Sequence, residues 1–134
     1  MAPRVLIADQ LSPAAVAIFQ ERGVRTDVKV GLSKEELEKT IPDYDGLAVR
    51  SATKVTEKVI AAAARLKVVG RAGIGVDNID VKAATAKGII VMNTPFGNSI
   101  TTAEHAISLM MALARQIPEA DRSTQGGKWE KSRF

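Results

Sequence analysis

The sequence predicts an α/β fold in which a five-stranded parallel sheet carries helices on both faces. Two observations lead there. Short apolar runs alternate with helix-period segments from the first residues onward, the pattern of strands joined by crossover helices. Each predicted helix of the first hundred or so residues also opens on an N-cap or capping-box residue, which places the strands between them. With 134 residues, 46% of them hydrophobic and 25% charged, the chain can bury one good core.

Arg4 to Ala8 is the first expected strand. Ser12 ahead of Pro13 provides an N-cap with proline in the first turn, and Ala15, Ile18 and Phe19 recur at helical spacing until Gly23. Val24 to Val30 reads as the second strand. Ser33 with Glu36 is a capping box, opening a helix that turns Leu37 and Ile41 inward before Pro42 closes it. Gly46 to Val49 is the third strand, Thr56 caps a helix through Ala64, and Lys67 to Gly70 is the fourth strand. Asp80 caps a helix ending at Gly88, and Ile89 to Met92 is the fifth strand. Five strands with crossover helices make a flavodoxin-like domain, expected over residues 1–98.

Beyond Met92 the pattern changes. Asn93, Pro95, Gly97 and Asn98 form a breaker-rich connection, and a long helix is expected from Thr101 to Arg115. From Ala106 to Ala114 its only polar residue is Ser108, so the helix is apolar around nearly its whole circumference and calls for burial on all sides. A five-stranded domain cannot surround it. Residues 99–134 are therefore expected to hold a crossing helix and the start of a further domain absent from this chain. The tail beyond Pro118 reads as polar, with no element to receive Trp129 or Phe134.

Composition narrows the function classes. The net charge of +4 arises from 19 basic and 15 acidic residues with no basic run interleaved with aromatics, and aromatics make up only 4%, which speaks against nucleic acid as a partner. With no Cys, a disulfide framework, thiol catalysis and Cys-ligated metal are excluded, and a single His argues against a His-based metal site. No basic segment leads into an apolar one at the start and no apolar stretch reaches membrane-spanning length, so a soluble, untargeted, cytoplasmic protein is expected.

Three segments could carry chemistry. Gly70-Arg71-Ala72-Gly73-Ile74-Gly75-Val76-Asp77 follows a strand and precedes a helix, yet it matches the dinucleotide fingerprint G-x-G-x-x-G poorly: the third glycine falls at Asn78, and the expected acidic residue is replaced by Asn93. A glycine turn required only by strand-to-helix geometry is the plainer alternative. The better reading is that glycines flanking Ile74 let successive backbone amides approach a carboxylate at the strand's carboxyl end. Arg50-Ser51-Ala52-Thr53-Lys54 sets a fork-shaped cation, a hydroxyl and a second cation beyond another parallel strand, suiting an anionic substrate, although such charges can also be solvated loop residues. His105 next to Glu104 invites a general-base reading, but adjacent helix positions point in different directions, so Glu104 cannot orient it. A receiver-like or other stand-alone binding module is a competing class; a receiver needs converging carboxylates, and Asp9 stands alone.

Taken together, Val49-Arg50-Ser51-Ala52-Thr53-Lys54-Val55, the stretch Gly70 to Asp80, and Asn93-Thr94-Pro95 through Gly97-Asn98-Ser99 to Ala103-Glu104 resemble consecutive signatures of D-3-phosphoglycerate dehydrogenases, within the D-2-hydroxyacid dehydrogenases. The similarity extends to Gly127-Lys128-Trp129-Glu130. The resemblance implies the substrate-binding part of an NAD-dependent oxidoreductase that converts 3-phospho-D-glycerate to 3-phosphohydroxypyruvate, with serine biosynthesis as its setting. It further implies that Arg50 and Ser51 lie beside the substrate, that the turn Gly73, Ile74, Gly75 holds its carboxylate, and that Asn98 sits near substrate and nicotinamide. Thr102 would flank the nicotinamide of NAD. Lys131 would lie in a region linked to phosphate, where the pattern more often has Arg. The resemblance places the catalytic Arg, Glu and His outside this chain, so no catalytic residue and no metal are expected in it, and His105 does not match the catalytic His. A homo-oligomer joined through the helix 101–115 is expected. Lactate, glycerate or glyoxylate remain open as substrates of the same class of enzyme.

Overall fold

The computed structural model describes residues 2–134. Five strands, β1 (Arg4–Ile7), β2 (Arg25–Val28), β3 (Gly46–Val49), β4 (Val68–Arg71) and β5 (Ile90–Asn93), form one sheet in the order β2-β1-β3-β4-β5. Every pairing is parallel. The helices between them are α1 (Pro13–Glu21), α2 (Lys34–Thr40), α3 (Glu57–Ala62) and α4 (Val81–Ala86), with a short 3-10 turn at Ile41–Asp43.

The caps read from the sequence are made. The Ser12 side chain accepts from the Ala14 N–H, the Thr56 side chain from the Val59 N–H, and the Asp80 side chain from the Ala83 N–H. The Ser33–Glu36 capping box closes in both directions, at 2.8 and 3.2 Å. Alternation along the strands then divides the sheet: Leu6, Leu47, Val49 and Val69 face a buried core completed by Leu37, Ile41, Val59, Ile60 and Ala84 from α2, the 3-10 turn, α3 and α4. The opposite face carries α1, and an apolar groove of about 340 Å³ between Leu11, Ala15, Phe19, Ala48, Gly70 and Met92 stays open there.

Several bounds differ from the sequence reading. β2 stops at Val28 rather than Val30 because the edge strand loses its only neighbour after the Lys29 N–H donates to the Ile7 carbonyl. β5 includes Asn93, which pairs with Arg71, so the connection begins one residue later than its breaker residues suggest.

Two compact units result, Met1–Gly97 and Asn98–Phe134. The second contains α5 (Ser99–Ala114), starting two residues before the expected Thr101, and α6 (Ile117–Gln125), which the polar composition of the tail concealed. Gln116, with φ of 49°, makes the left-handed turn between them, and Pro118 sits in the first turn of α6, where a missing N–H costs nothing. The tail is also less bare than expected: Phe134 and Trp129 line a hollow against Ala120 and Thr124 of α6, and the Arg133 guanidinium lies 5.2 Å from the Phe134 ring centre.

Candidate functional site

Strand order reverses direction between β1 and β3, and ligands of open parallel sheets bind beyond the carboxyl ends of the strands at such a point. There the chain turns from β3 into the loop Arg50-Ser51-Ala52-Thr53. Buried Asp9, which follows β1, accepts from the Arg50 N–H at 2.6 Å, the Thr53 N–H at 3.2 Å and the Thr53 hydroxyl at 2.7 Å. From the other side, buried Asn78 donates through Nδ2 to the Arg50 and Thr53 carbonyls, both at 2.7 Å. The loop backbone is thereby tied on two sides, while the Arg50, Ser51 and Lys54 side chains are exposed. Among the described residues the Arg50 guanidinium has no protein acceptor. Lys54 also borders a cleft of about 410 Å³ shared with Asp9, Ser33, Lys34 and Thr53.

The neighbouring turn follows β4. Its three carbonyls are each drawn back into the protein: Gly73 accepts from the Thr94 N–H at 3.0 Å, Ile74 from Asn93 Nδ2 at 2.7 Å, and Gly75 from Arg71 Nη1. Alternate edges of a turn carry amides and carbonyls, so tying back the carbonyls leaves the Ile74 and Gly75 amides without a protein acceptor among the described residues. Arg71 is the anchor. Its side chain is only 10% exposed and lies 3.6 Å from Asp77, and its Nε is buried without a partner. A Cβ at Gly73 would come within 3.0 Å of Arg71 Nη1, so glycine there makes room for the guanidinium. The register Val49↔Arg71 sets this turn beside the Arg50 loop.

The structure thus brings Arg50, Ser51, Gly73, Ile74 and Gly75 to one end of the sheet. Asn98, Thr102 and Lys131 belong to the second unit. Asn98 precedes α5 without a side-chain cap bond, its carbonyl accepts from the Thr102 N–H at 2.9 Å, and all three side chains are exposed. Exposed His105 has no hydrogen bond to Glu104 among the described residues. Among those residues no three His, Asp or Glu side chains group to hold a metal ion, and no helix is long and apolar enough to cross a membrane.

Sequence reading missed Asp9, Asn78, Arg71 and Asn93. Asp9 stood as a lone acid and Asn78 and Asn93 as failures of a nucleotide motif. Their bonds to the site span 41 and 44 residues for Asp9, and 28 and 25 for Asn78, so no local signal announces them.

Residues 5–126 match the profile of the D-isomer specific 2-hydroxyacid dehydrogenase, catalytic domain. The chain belongs to the D-isomer specific 2-hydroxyacid dehydrogenase family. Relatives within the family include a D-3-phosphoglycerate dehydrogenase of Archaeoglobus fulgidus, 53% identical over 98% of this chain and 25% of its own length. The Homo sapiens protein of that name is 56% identical over the same shares, 98% and 25%. The chain therefore spans about a quarter of the length of these curated relatives, 25% in each case. Among solved structures, a protein of Pyrococcus horikoshii OT3 superposes with a TM-score of 0.84 at 33% identity, covering 98% of this chain and 39% of that one. An NAD+-bound 3-phosphoglycerate dehydrogenase of Entamoeba histolytica gives 0.74 at 30% identity, covering 84% of this chain and 39% of that one.

Proposed function

We propose that this chain is the substrate-binding part of an NAD-dependent oxidoreductase that oxidises 3-phospho-D-glycerate to 3-phosphohydroxypyruvate, the entry to serine biosynthesis. The observation that carries the reading is the pairing of a free guanidinium and two free amides on adjacent strand ends, each held by tied-back backbone. The names of the curated relatives support the choice of substrate. The Ile74 and Gly75 amides, with Gly73 giving the turn its clearance, receive the carboxylate. Arg50 supplies charge beside it and Ser51 a hydroxyl. Asn98 borders substrate and nicotinamide, Thr102 borders the nicotinamide, and Lys131 lies toward the phosphate.

Residues 1–98 form the substrate domain on this reading, and 99–134 the crossing helix and the beginning of the nucleotide-binding domain. The chain's own glycine turn does not fit a dinucleotide pyrophosphate. Asn78, where a third glycine would stand, is buried and committed to Arg50 and Thr53, and helix α4 begins only at Val81. NAD is then held mainly by residues outside this chain and supplies the hydride acceptor when bound. The part played here is orientation: two fixed contacts on the carboxylate present C2 and its hydroxyl in one pose, which converts binding into proximity. The base that takes the hydroxyl proton is not His105. Alone the chain is inactive; the protein acts in the cytoplasm as a homo-oligomer joined through the helix 101–115.

A second reading has one observation in its favour. The contacts of the first unit address a carboxylate and an adjacent oxygen, groups shared by lactate, glycerate and glyoxylate. The test is nicotinamide absorbance, read with the chain completed by a nucleotide-binding domain. A higher kcat/KM for 3-phospho-D-glycerate than for D-lactate or D-glycerate is expected, and preference for either of those acids would replace the proposed substrate.

A further inference from the structure

We infer that Asp9 and Asn78 are positioning residues that act on the substrate through Arg50, and that their hydrogen bonds, not the charge of Asp9, are what the site uses. The inference rests on the reading of Arg50 as an anion contact.

Neither side chain caps a helix or serves a strand pairing, although the Asn78 carbonyl accepts from the Val55 N–H at 2.8 Å, and both residues are more than nine-tenths buried. Between them they engage the N–H and the carbonyl of Arg50 and the N–H, hydroxyl and carbonyl of Thr53, at 2.6 to 3.2 Å. Both backbone groups of the residue that bears the guanidinium are therefore fixed, and the loop cannot rotate its peptide planes without breaking a bond in a dry setting. A long cationic side chain on a loose loop would have to give up its freedom each time it met an anion; a fixed Cα lowers that cost. Asn78 also lies downstream in the segment that contains Gly73, Ile74 and Gly75, so its two bonds join the loop and the turn into one frame.

The charge on Asp9 does not help anion binding, since a carboxylate behind the loop repels the ligand. What the geometry uses is its pair of acceptor oxygens. Asp9→Asn can keep the whole pattern: Oδ1 of the new amide accepts from the Arg50 and Thr53 N–H groups, while its Nδ2 donates to the Thr53 hydroxyl, which turns to the Ala8 carbonyl 3.2 Å away. Asp9→Ala and Asn78→Ala remove the bonds altogether.

The test titrates the 15N-labelled chain with 3-phospho-D-glycerate, following the Ile74 and Gly75 amide resonances. Asp9→Ala and Asn78→Ala should each weaken the affinity about tenfold and Asp9→Asn should leave it unchanged or tighter. In an Arg50→Ala background, Asp9→Ala and Asn78→Ala should cost nothing more, because coupled residues are not additive. Wild-type affinity in the alanine variants, an undiminished cost in the Arg50→Ala background, or an equal loss in Asp9→Asn would each overturn the inference. Should Asp9→Ala not fold, Asn78→Ala and Asp9→Asn decide it alone. If Arg50→Ala itself leaves binding unchanged, the reading of Arg50 fails, and the inference with it; if only the two positioning residues are silent, Arg50 stands and the inference alone fails.

Discussion

Arg50 and the two glycines of the turn show how one residue can be read at this site. On the proposed function, and with the chain completed by a nucleotide-binding domain, Arg50→Ala should raise KM for 3-phospho-D-glycerate and lower kcat/KM by roughly 1.5 to 3 kcal/mol, the worth of a charge-assisted bond. Steady-state kinetics on a folded variant checks it, and an unchanged kcat/KM removes Arg50 from the site. The glycines separate by what lies next to them. An alanine at Gly73 meets the anchored Arg71 guanidinium at 3.0 Å, whereas one at Gly75 meets Arg71 Nη1 only at 3.4 Å and has its tight contact, 2.9 Å, with Asp77 Oδ1 on a side chain that is 84% exposed. Gly73→Ala is expected to lower stability by about 1 to 2 kcal/mol and to shift the Ile74 amide resonance, with Gly75→Ala costing less than half of that. Equal thermal melts for the two variants would show that the guanidinium yields as readily as the aspartate.

At the scale of elements, the amino end of β1 and the Tyr44-Asp45 approach to β3 are joined to Asp27 within β2 and to one another by charge rather than by a helix. Arg4 donates to Asp27 at 2.8 Å and lies 4.9 Å from the Tyr44 ring centre, and the Tyr44 hydroxyl donates to the same carboxylate at 2.8 Å. The Arg4 bond, then the Tyr44 bond, holds the Asp27 carboxyl below the usual range. Asp45 is lowered as well, first by the Arg4 backbone N–H and then by Arg65. Burial, followed by the bond to Asp27, pushes the Tyr44 hydroxyl up to about 12. For the two acids the folded chain binds protons less tightly than the unfolded one. Their contribution is complete above the ordinary value of 3.8 and is lost as pH falls through the lowered folded values. For Tyr44 the sign reverses: its contribution is complete below 10.0 and lost as pH rises toward 12. Denaturant midpoints between neutral and acid pH should therefore fall, and Asp27→Asn with Asp45→Asn should flatten that fall. The same slope in the double variant would show that the acid limb arises elsewhere.

The molecule as a whole presents one feature out of keeping with a finished globule. Ile107, Leu109, Met110, Met111 and Leu113 of α5 are 56 to 79% exposed. Each such side chain forgoes roughly 1.5 to 3 kcal/mol of burial, and patches of this kind mark contact surfaces. The isolated chain is expected to self-associate through this helix and to show no NAD binding. Light scattering from micromolar to millimolar concentration reads the first and calorimetric titration with NAD the second. A monodisperse monomer whose α5 amides resist hydrogen exchange would mean the chain buries the helix within itself, and the proposed domain boundary would be wrong.

Along the chain, the order of strands and helices was legible because each depends on neighbours within a few residues: the Ser33–Glu36 box, the proline after Ser12, the apolar runs at β3 and β4. The loops that bear Arg50 and Ile74 could be named for the same reason, by residue type at the end of a strand. Helix α6 was not legible, since its apolar residues, Ile117, Pro118 and Ala120, all lie within its first four positions and none recurs at helical spacing beyond them. What only the tertiary structure decided was the arrangement between loops. The order β2-β1-β3-β4-β5 brings Asp9 to Arg50, and the parallel register brings Asn93 and Arg71 onto the carbonyls of the turn. A lone aspartate and two misplaced asparagines carry no signal in sequence, because a hydrogen bond depends on distance in space, and those distances are set by a sheet whose strand order the local pattern does not encode.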